Sequence, residues 1–196
     1  MTRVQGLAVL LSLLWLGGCA VRGEPATRYT LPDDAARPSD QASGAAARHQ
    51  LVLRPLRLAR YLDVEGIVFQ LDDITLQEAS GHQWVEPLGR QLERGLRERL
   101  AHRLPETRVM LEADAGTETS QRLRVEVERF QGRHDGLAVT EGRWQLRDAD
   151  GRLLVLEPFR VTTPLVADGY PALVRALGHS WDGVAAEIAA GIRRLR

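Results

Sequence analysis

The chain has 196 residues, of which 44% are hydrophobic and 27% charged, enough apolar material for one globular domain with tails. Lys and Arg together number 26, as do Asp and Glu, and this balance gives no global bias toward nucleic acid or another polyanionic partner. A single cysteine excludes an internal disulfide.

The N-terminus has the order of a secretory signal peptide, predicted over residues 1–18. A short cationic start containing Arg3 precedes the apolar run 6–16, and Gly17 and Gly18 follow it. The run is about half of the ~20 residues that a membrane-spanning helix needs. A buried core helix is the alternative, but leucines surround such a helix and leave it no polar face.

Cys19 ends this segment. Leu16-Gly17-Gly18-Cys19 resembles the bacterial lipobox, in which Leu16, Gly17 and Gly18 would be recognised by the signal peptidase. The resemblance implies that Cys19 is diacylated on sulfur, becomes the new N-terminus and is then acylated on nitrogen, with palmitate among the chains. Three acyl chains hold a protein durably on a membrane. Ala20, in place of the Asp that retains lipoproteins in the inner membrane, implies the periplasmic face of the outer membrane.

Residues 19–48 are predicted to form a lipidated tether with a short extended segment at 28–32. Residues 33–48 are rich in Ala, Ser, Pro, Gly and Asp without periodic apolar positions, which predicts a flexible insertion. A single α/β domain is predicted over 49–196.

The first half of this domain reads as strands followed by a helix. Strands are predicted at 51–58, with a bend at Pro55, and at 66–70 and 74–76. Residues 80–83 have the spacing of a helix capping box, and Pro87 places the helix start near 84 or 85. One helical face is then marked by apolar residues at Trp84, Leu88, Leu92, Leu96, Leu100 and Leu104.

The second half reads as a strand meander followed by a helix. Strands are predicted at 107–112, 122–128, 137–147 and 152–163, the last two joined by a hairpin at 148–151. The final helix is expected to begin at Asp168 as N-cap, with Pro171 in its first turn. The predicted fold is α/β, a mixed, mostly antiparallel sheet covered by two amphipathic helices in a sandwich.

Few residues form a pattern that carries chemistry. The five histidines have no metal-ligand spacing, and neighbours such as Asp72 and Asp73 point to opposite faces of a strand. Residues 148–151 echo a calcium loop but lack its remaining ligands, so a turn is favoured. The apolar stripe of the last helix is read as core rather than as a lipid or partner groove. We therefore predict no catalytic residue, cofactor or metal.

Residues 130–136 are predicted to be a polar loop that interrupts two strands. The loop carries Arg133, His134 and Asp135. It is either a plain solvent loop or a structural or partner-contact loop.

The mature chain resembles the ABC-type transport auxiliary lipoproteins through short motifs in a fixed order behind the lipobox. These motifs are Tyr61-Leu62, residues 66–70, Trp84, Pro87-Leu88, Leu104-Pro105, residues 130–136, 142–146 and 157–160, Asp168-Gly169-Tyr170, Trp181 and residues 192–195. The family fold is α/β, in agreement with the pattern of strands and helices.

The resemblance implies a non-enzymatic part of an envelope lipid-transport pathway that supports membrane integrity. Its partners would be an MCE-family, PqiB-like protein that spans the periplasm and, indirectly, a PqiA-like inner-membrane protein. A homo-oligomeric ring is expected because MCE proteins assemble as rings. The alternatives are a periplasmic lipid-processing enzyme using Asp72, His134 and Asp135, and a structural lipoprotein that supports an outer-membrane barrel.

Overall fold

The structure, a computed structural model, describes residues 25–32, 47–115 and 120–196. The predicted signal peptide, the lipidation site Cys19 and most of the predicted insertion lie outside these residues. The described residues form β1 (Thr27–Tyr29), β2 (His49–Leu53), β3 (Arg57–Leu58), β4 (Gly66–Gln70), β5 (Leu76–Trp84), α1 (Leu88–Arg103), β6 (Thr107–Leu111), β7 (Gln121–Arg133), β8 (Leu137–Arg147), β9 (Leu153–Pro164) and α2 (Tyr170–Arg194). No helix among them is long and apolar enough to span a membrane.

Strand β7 is the axis of a single mixed sheet. One side of it pairs with β8, which pairs in turn with β9, and both pairings are antiparallel. Its other side pairs in parallel with β2, β3 and β4. Beyond β4 lie β5, which is antiparallel to it, and β1, which is parallel to β5; β6 lies beyond β2. The mixed sheet predicted from the sequence is confirmed, with the longest ladders antiparallel.

The two helices and the sheet enclose one apolar core. α2 packs on β7, β8 and β9, and α1 packs on α2 and β6. Trp181 of α2 donates its indole N–H to the Leu92 carbonyl of α1 at 3.1 Å, and Phe130 of β7 meets the Trp181 ring edge-on at 6.2 Å. Such a buried indole with a satisfied N–H fixes where the helices meet over the sheet.

The start of α1 was predicted wrongly. Residues 80–83 lie within β5, and Trp84 is its last residue. The helix begins at Leu88 with Pro87 as N-cap. The N–H of Trp84 bonds to the Glu65 carbonyl at 2.8 Å, so sheet pairing outcompetes the local capping signal. The leucine stripe itself is confirmed, since Leu88, Leu92, Leu96, Leu100 and Leu104 are all buried.

The predicted loop at 130–136 is too wide. β7 continues through a bulge between Val127 and Arg129 as far as Arg133, and Phe130, Gln131 and Gly132 are buried. The bulge shifts the alternation of buried and exposed residues by one position. The apolar pattern that predicts a strand up to residue 128 therefore breaks there, although the strand continues. Only residues 134–136 form the turn.

Other predicted boundaries need smaller changes. Ile74 lies in the β4–β5 turn rather than in a strand, and α2 has Gly169, at φ 94°, as its N-cap instead of Asp168. Pro171 lies in the first turn of α2, as predicted. The 148–151 hairpin is confirmed, with Gly151 at φ 86°, a conformation that glycine adopts without a Cβ penalty.

The extended segment predicted at 28–32 joins the domain. β1 adds to the edge of the sheet at β5, and Leu31 is 6% exposed within the core. The Leu31 N–H donates to Gln91 Oε1 at 2.9 Å, and Arg99 Nη2 donates to the Pro32 carbonyl at 3.0 Å. These bonds hold the segment against α1.

Candidate functional site

Three connections of the chain meet at one end of the sheet. Gln70, the last residue of β4, is in register with Arg133 of β7, and Leu137 of β8 is in register with Pro164 of β9. The Leu165 N–H donates to the Gly136 carbonyl at 2.9 Å. The connections 71–75, 134–136 and 165–169 therefore share this end, which we call the end surface.

The β7–β8 turn of the end surface is closed by an ion pair. Arg133 Nε donates to Asp135 Oδ1 at 3.1 Å, and Arg133 Nη2 pairs with Asp135 Oδ2. The Arg133 guanidinium lowers the pKa of Asp135. Gly136 has φ 78°, and its N–H bonds to the Arg133 carbonyl at 3.1 Å. This geometry fits a structural turn with His134 exposed at its tip, while partner contact by these three residues stays a prediction.

Asp72 organises the β4–β5 turn. Its Oδ1 accepts the backbone N–H groups of Ile74 at 2.9 Å and Thr75 at 2.7 Å. The bond from Ile74 is the main reason that the pKa of Asp72 is lowered, with His134 adding a smaller electrostatic contribution. Carboxylates satisfied in this way are common in Asx turns.

Asp72, His134 and Asp135, the residues that the enzyme alternative would use, lie at the same end of the fold. Asp72 and Asp135 are both hydrogen-bonded, and each has a lowered pKa. A general acid or base works best with a pKa near the ambient pH, so neither carboxylate is tuned for that role. Within residues 25–32, 47–115 and 120–196, no three His, Cys, Asp or Glu side chains are grouped to hold a metal ion.

An apolar groove of about 350 Å³ opens on the end surface, lined by Phe69, Leu71, Leu165, Gly169, Tyr170 and Leu173. Tyr170 stacks on the His82 imidazole with ring centroids 3.9 Å apart, and Tyr29 Oη lies 2.9 Å from His82 Nδ1. Val166, next in the chain to Leu165 of this groove, is 89% exposed, and Ile74, which lines a different groove, is 88% exposed. The connections of the end surface therefore present two apolar side chains to solvent.

A second, polar groove of about 540 Å³ lies over β7, β8 and β9 and reaches the β4–β5 turn, where Asp73 and Ile74 line it. Glu141 is between Arg160 at 3.1 Å and Arg129 at 3.7 Å, a cross-strand row of charges. Tyr61 Oη lies 2.7 Å from the Glu128 carbonyl and 2.8 Å from Gln131 Oε1, and burial raises the pKa of Tyr61 to about 12. The groove is absent from the predictions made from the sequence, although the alternating charges of the predicted strands indicate a polar face.

Strand β9 leaves one long edge free. In the described part of the chain it pairs only with β8. Leu153 and Leu156 are exposed along it, Leu156 to 56%. An unpaired edge presents backbone N–H and C=O groups to any extended segment that approaches.

The comparisons with known proteins agree with one another. A family model described as "ABC-type transport auxiliary lipoprotein component" matches residues 29–189. The chain is 30% identical over 187 residues to "Intermembrane transport lipoprotein PqiC" from Escherichia coli (strain K12), covering 95% of this chain and 97% of that protein. The protein of the same name from Shigella flexneri matches to the same extent.

Solved structures share the fold. The crystal structure of an uncharacterized protein superimposes with a TM-score of 0.74 at 28% identity, covering 86% of this chain and 99% of that one. A Xanthomonas campestris protein superimposes with a TM-score of 0.63 at 20% identity, covering 84% of this chain and 90% of that one. The second similarity concerns the fold alone.

Proposed function

The chain belongs to the ABC-type transport auxiliary lipoprotein family, and from this membership we propose that it is the outer-membrane lipoprotein of an intermembrane lipid-transport pathway. One observation carries the proposal: the identity to an intermembrane transport lipoprotein extends over 95% of the chain rather than over an isolated motif. The pathway would move lipids between the two membranes and support membrane integrity.

The membrane anchor in this proposal is Cys19. It is supported by Leu16-Gly17-Gly18 immediately before it and by Ala20 after it. The signal peptide 1–18 would be removed, and the acylated Cys19 would hold the domain on the periplasmic face of the outer membrane.

The direct partner in this proposal is an MCE-family, PqiB-like protein that reaches across the periplasm, with a PqiA-like protein behind it in the inner membrane. The resemblance of the motif series supports this choice. We place the docking surface on the free edge of β9, because its backbone groups between residues 153 and 157 can pair with an extended segment. Pro158 ends that stretch, since proline has no N–H to donate.

Site-specific photocrosslinking tests the docking. A photoreactive amino acid replaces Leu156 on the β9 edge or, as control, Arg90, which is exposed on α1. The MCE protein is expected in crosslinked complexes from the Leu156 position only, after solubilising envelopes in detergent. If tagged protein never captures the MCE protein, even after crosslinking, the docking proposal fails. Capture of an outer-membrane barrel instead would favour the structural-lipoprotein alternative.

The homo-oligomeric ring remains part of the proposal. A ring lets several copies of the domain surround the end of one MCE assembly. Native mass spectrometry at micromolar concentration is expected to give a multiple of the protomer mass. A mass that stays monomeric at that concentration and above contradicts the ring.

A further inference from the structure

We propose that the end surface rests on the lipid bilayer, with Ile74 and Val166 entering its interfacial region. The inference deepens the proposed function, because it depends on the acyl anchor at Cys19. It assigns an orientation to the domain on the membrane and a lipid-contact role to two side chains.

The first support is the exposure of these two residues. Of the large hydrophobic side chains in the described ranges, only Ile74 and Val166 are more than four-fifths exposed, and both lie in connections of the end surface. Val166 follows Leu165 of the apolar groove, and Ile74 lines the polar groove. Singly exposed apolar residues are ordinary, but two of them on neighbouring connections at one end of a fold indicate a contact surface.

The second support is that ordered turns present them. Asp72 Oδ1 bonds to the N–H groups of Ile74 and Thr75, and the Leu71 N–H bonds to the Thr75 carbonyl at 2.9 Å. Val166 follows Leu165, which is tied to Gly136 across the end surface. The fold therefore holds both side chains outward into solvent.

The third support is the direction in which the chain enters the domain. β4 runs toward the end surface, β5 runs away from it, and β1 is parallel to β5. The N-terminal end of β1 therefore faces the side of the end surface. The start of β1 is close to the apolar groove, because His82, in register with Thr27, stacks on Tyr170.

The fourth support is length. Cys19 is eight residues before Thr27, which gives a reach of up to about 27 Å. From the level of Thr27, the sheet extends toward the end surface by little more than the length of β4, which is five residues or about 13 Å. The anchor can thus reach beyond the end surface while the end surface touches the bilayer.

The charge of the end surface indicates which class of lipid it contacts. The end surface carries Asp72, Asp73 and Asp168, and its one arginine, Arg133, is already paired with Asp135. Binding to anionic head groups needs an excess of Lys or Arg, which this surface lacks. The contact is therefore with zwitterionic lipid and is apolar in origin.

Fluorescence quenching by lipid tests the orientation. Cys19 is the only cysteine and its sulfur carries lipid in the proposed mature form, so an introduced cysteine is the only free thiol. Ile74→Cys and Val166→Cys are labelled with NBD in the lipidated protein, reconstituted in phosphatidylcholine vesicles containing a doxyl-labelled phosphatidylcholine. Leu153→Cys, an exposed apolar position near the opposite end of the sheet, is the matched control.

We expect quenching at 74 and 166 at least about twofold greater than at 153, with a blue-shifted emission. Replacing part of the phosphatidylcholine with phosphatidylglycerol should not increase the quenching at 74 and 166. Equal quenching at all three positions on protein that floats with the vesicles overturns the orientation and leaves the anchor and partner docking intact. The orientation is also overturned if the labels at 74 and 166 are shielded from solvent only when the MCE protein is present, or only when the protein self-associates in detergent. Protein that does not float overturns the anchor itself, and the orientation with it.

Discussion

The ring of Pro32 lies directly against Gly178 of α2. A Cβ at Gly178 would come within 2.8 Å of the proline Cδ and Cγ, closer than real Cβ atoms approach other atoms. Gly178 thus provides the space in which the segment after β1 passes over α2, while Leu31 beside it enters the core.

We expect Gly178→Ala to destabilise the protein. Alanine favours a helix over glycine by about 1 kcal/mol, but overpacking against Pro32 costs about 1–3 kcal/mol. Gly89→Ala in α1 is the matched control, because its Cβ would lie 3.6 Å from the Leu58 side chain, an ordinary contact. Urea unfolding measures both variants. Equal stability of the two would contradict the tight contact.

Substitution of Arg99 is expected to destabilise the protein more than Gly178→Ala does. Its side chain is 3% exposed, pairs with Asp182 of α2 and bonds to the Pro32 carbonyl. Arg99→Met leaves a partly buried carboxylate unpaired, which costs roughly 3 kcal/mol in unfolding free energy. Arg194→Met removes an exposed pair with Glu157 and should cost less than about 1 kcal/mol. Similar losses in the two variants would contradict the assigned role of Arg99.

Tyr61 should make stability fall at alkaline pH. Burial raises the pKa of Tyr61 from 10.0 to about 12, with Arg129 opposing the rise. The folded state therefore holds the phenol proton more tightly, and this stabilisation is complete below pH 10.0 and disappears as the pH rises toward 12. Absorbance titration should show one late-ionising tyrosine that is absent from Tyr61→Phe. An unchanged titration curve in that variant would reject the assignment.

Cys19→Ser is expected to abolish acylation, because the serine hydroxyl does not replace the thiol in the lipid-transfer step. The precursor should keep residues 1–18 and fail to reach the outer membrane. Metabolic labelling with palmitate, followed by membrane fractionation, measures both effects. Wild-type amounts of the variant in the outer membrane would reject the lipobox assignment.

The enzyme alternative predicts a loss of function that we do not expect. Asp72→Asn removes the ionisable group and keeps an acceptor oxygen for the β4–β5 turn, and His134→Ala removes an exposed tip residue. Both variants should retain the wild-type permeability barrier of the envelope. A large increase in permeability, with normal folding and normal capture of the MCE protein, would instead favour catalysis at the end surface.

Most of the fold could be predicted because the relevant patterns are local. The alternation of Leu123, Val125 and Val127 and the leucine stripe of α1 each report which side of an element is buried. The 148–151 turn carries its own signal in Gly151. The polarity at 133–135 likewise marked a real turn, although its preceding residues belong to β7.

The errors arose where distant pairing decides the structure. Residues 80–83 form a strand because β4 and β1 flank them, and β1 lies more than 50 positions earlier in the sequence. The end surface is assembled from three connections that only the sheet register brings together. No local pattern in the sequence indicates that Ile74 and Val166 share one surface.

The way β1 is attached also determines how the domain bears mechanical load. If the proposed acyl anchor is present, a force that pulls on it along β1, parallel to β5, would load the hydrogen bonds between the two strands together in shear rather than open them one after another. Beyond β1, the bond to Gln91 and the bond from Arg99 to Pro32 transmit the remaining force to α1. In the proposed pathway, tension between the anchor and the partner would thus be carried by the sheet and α1 together.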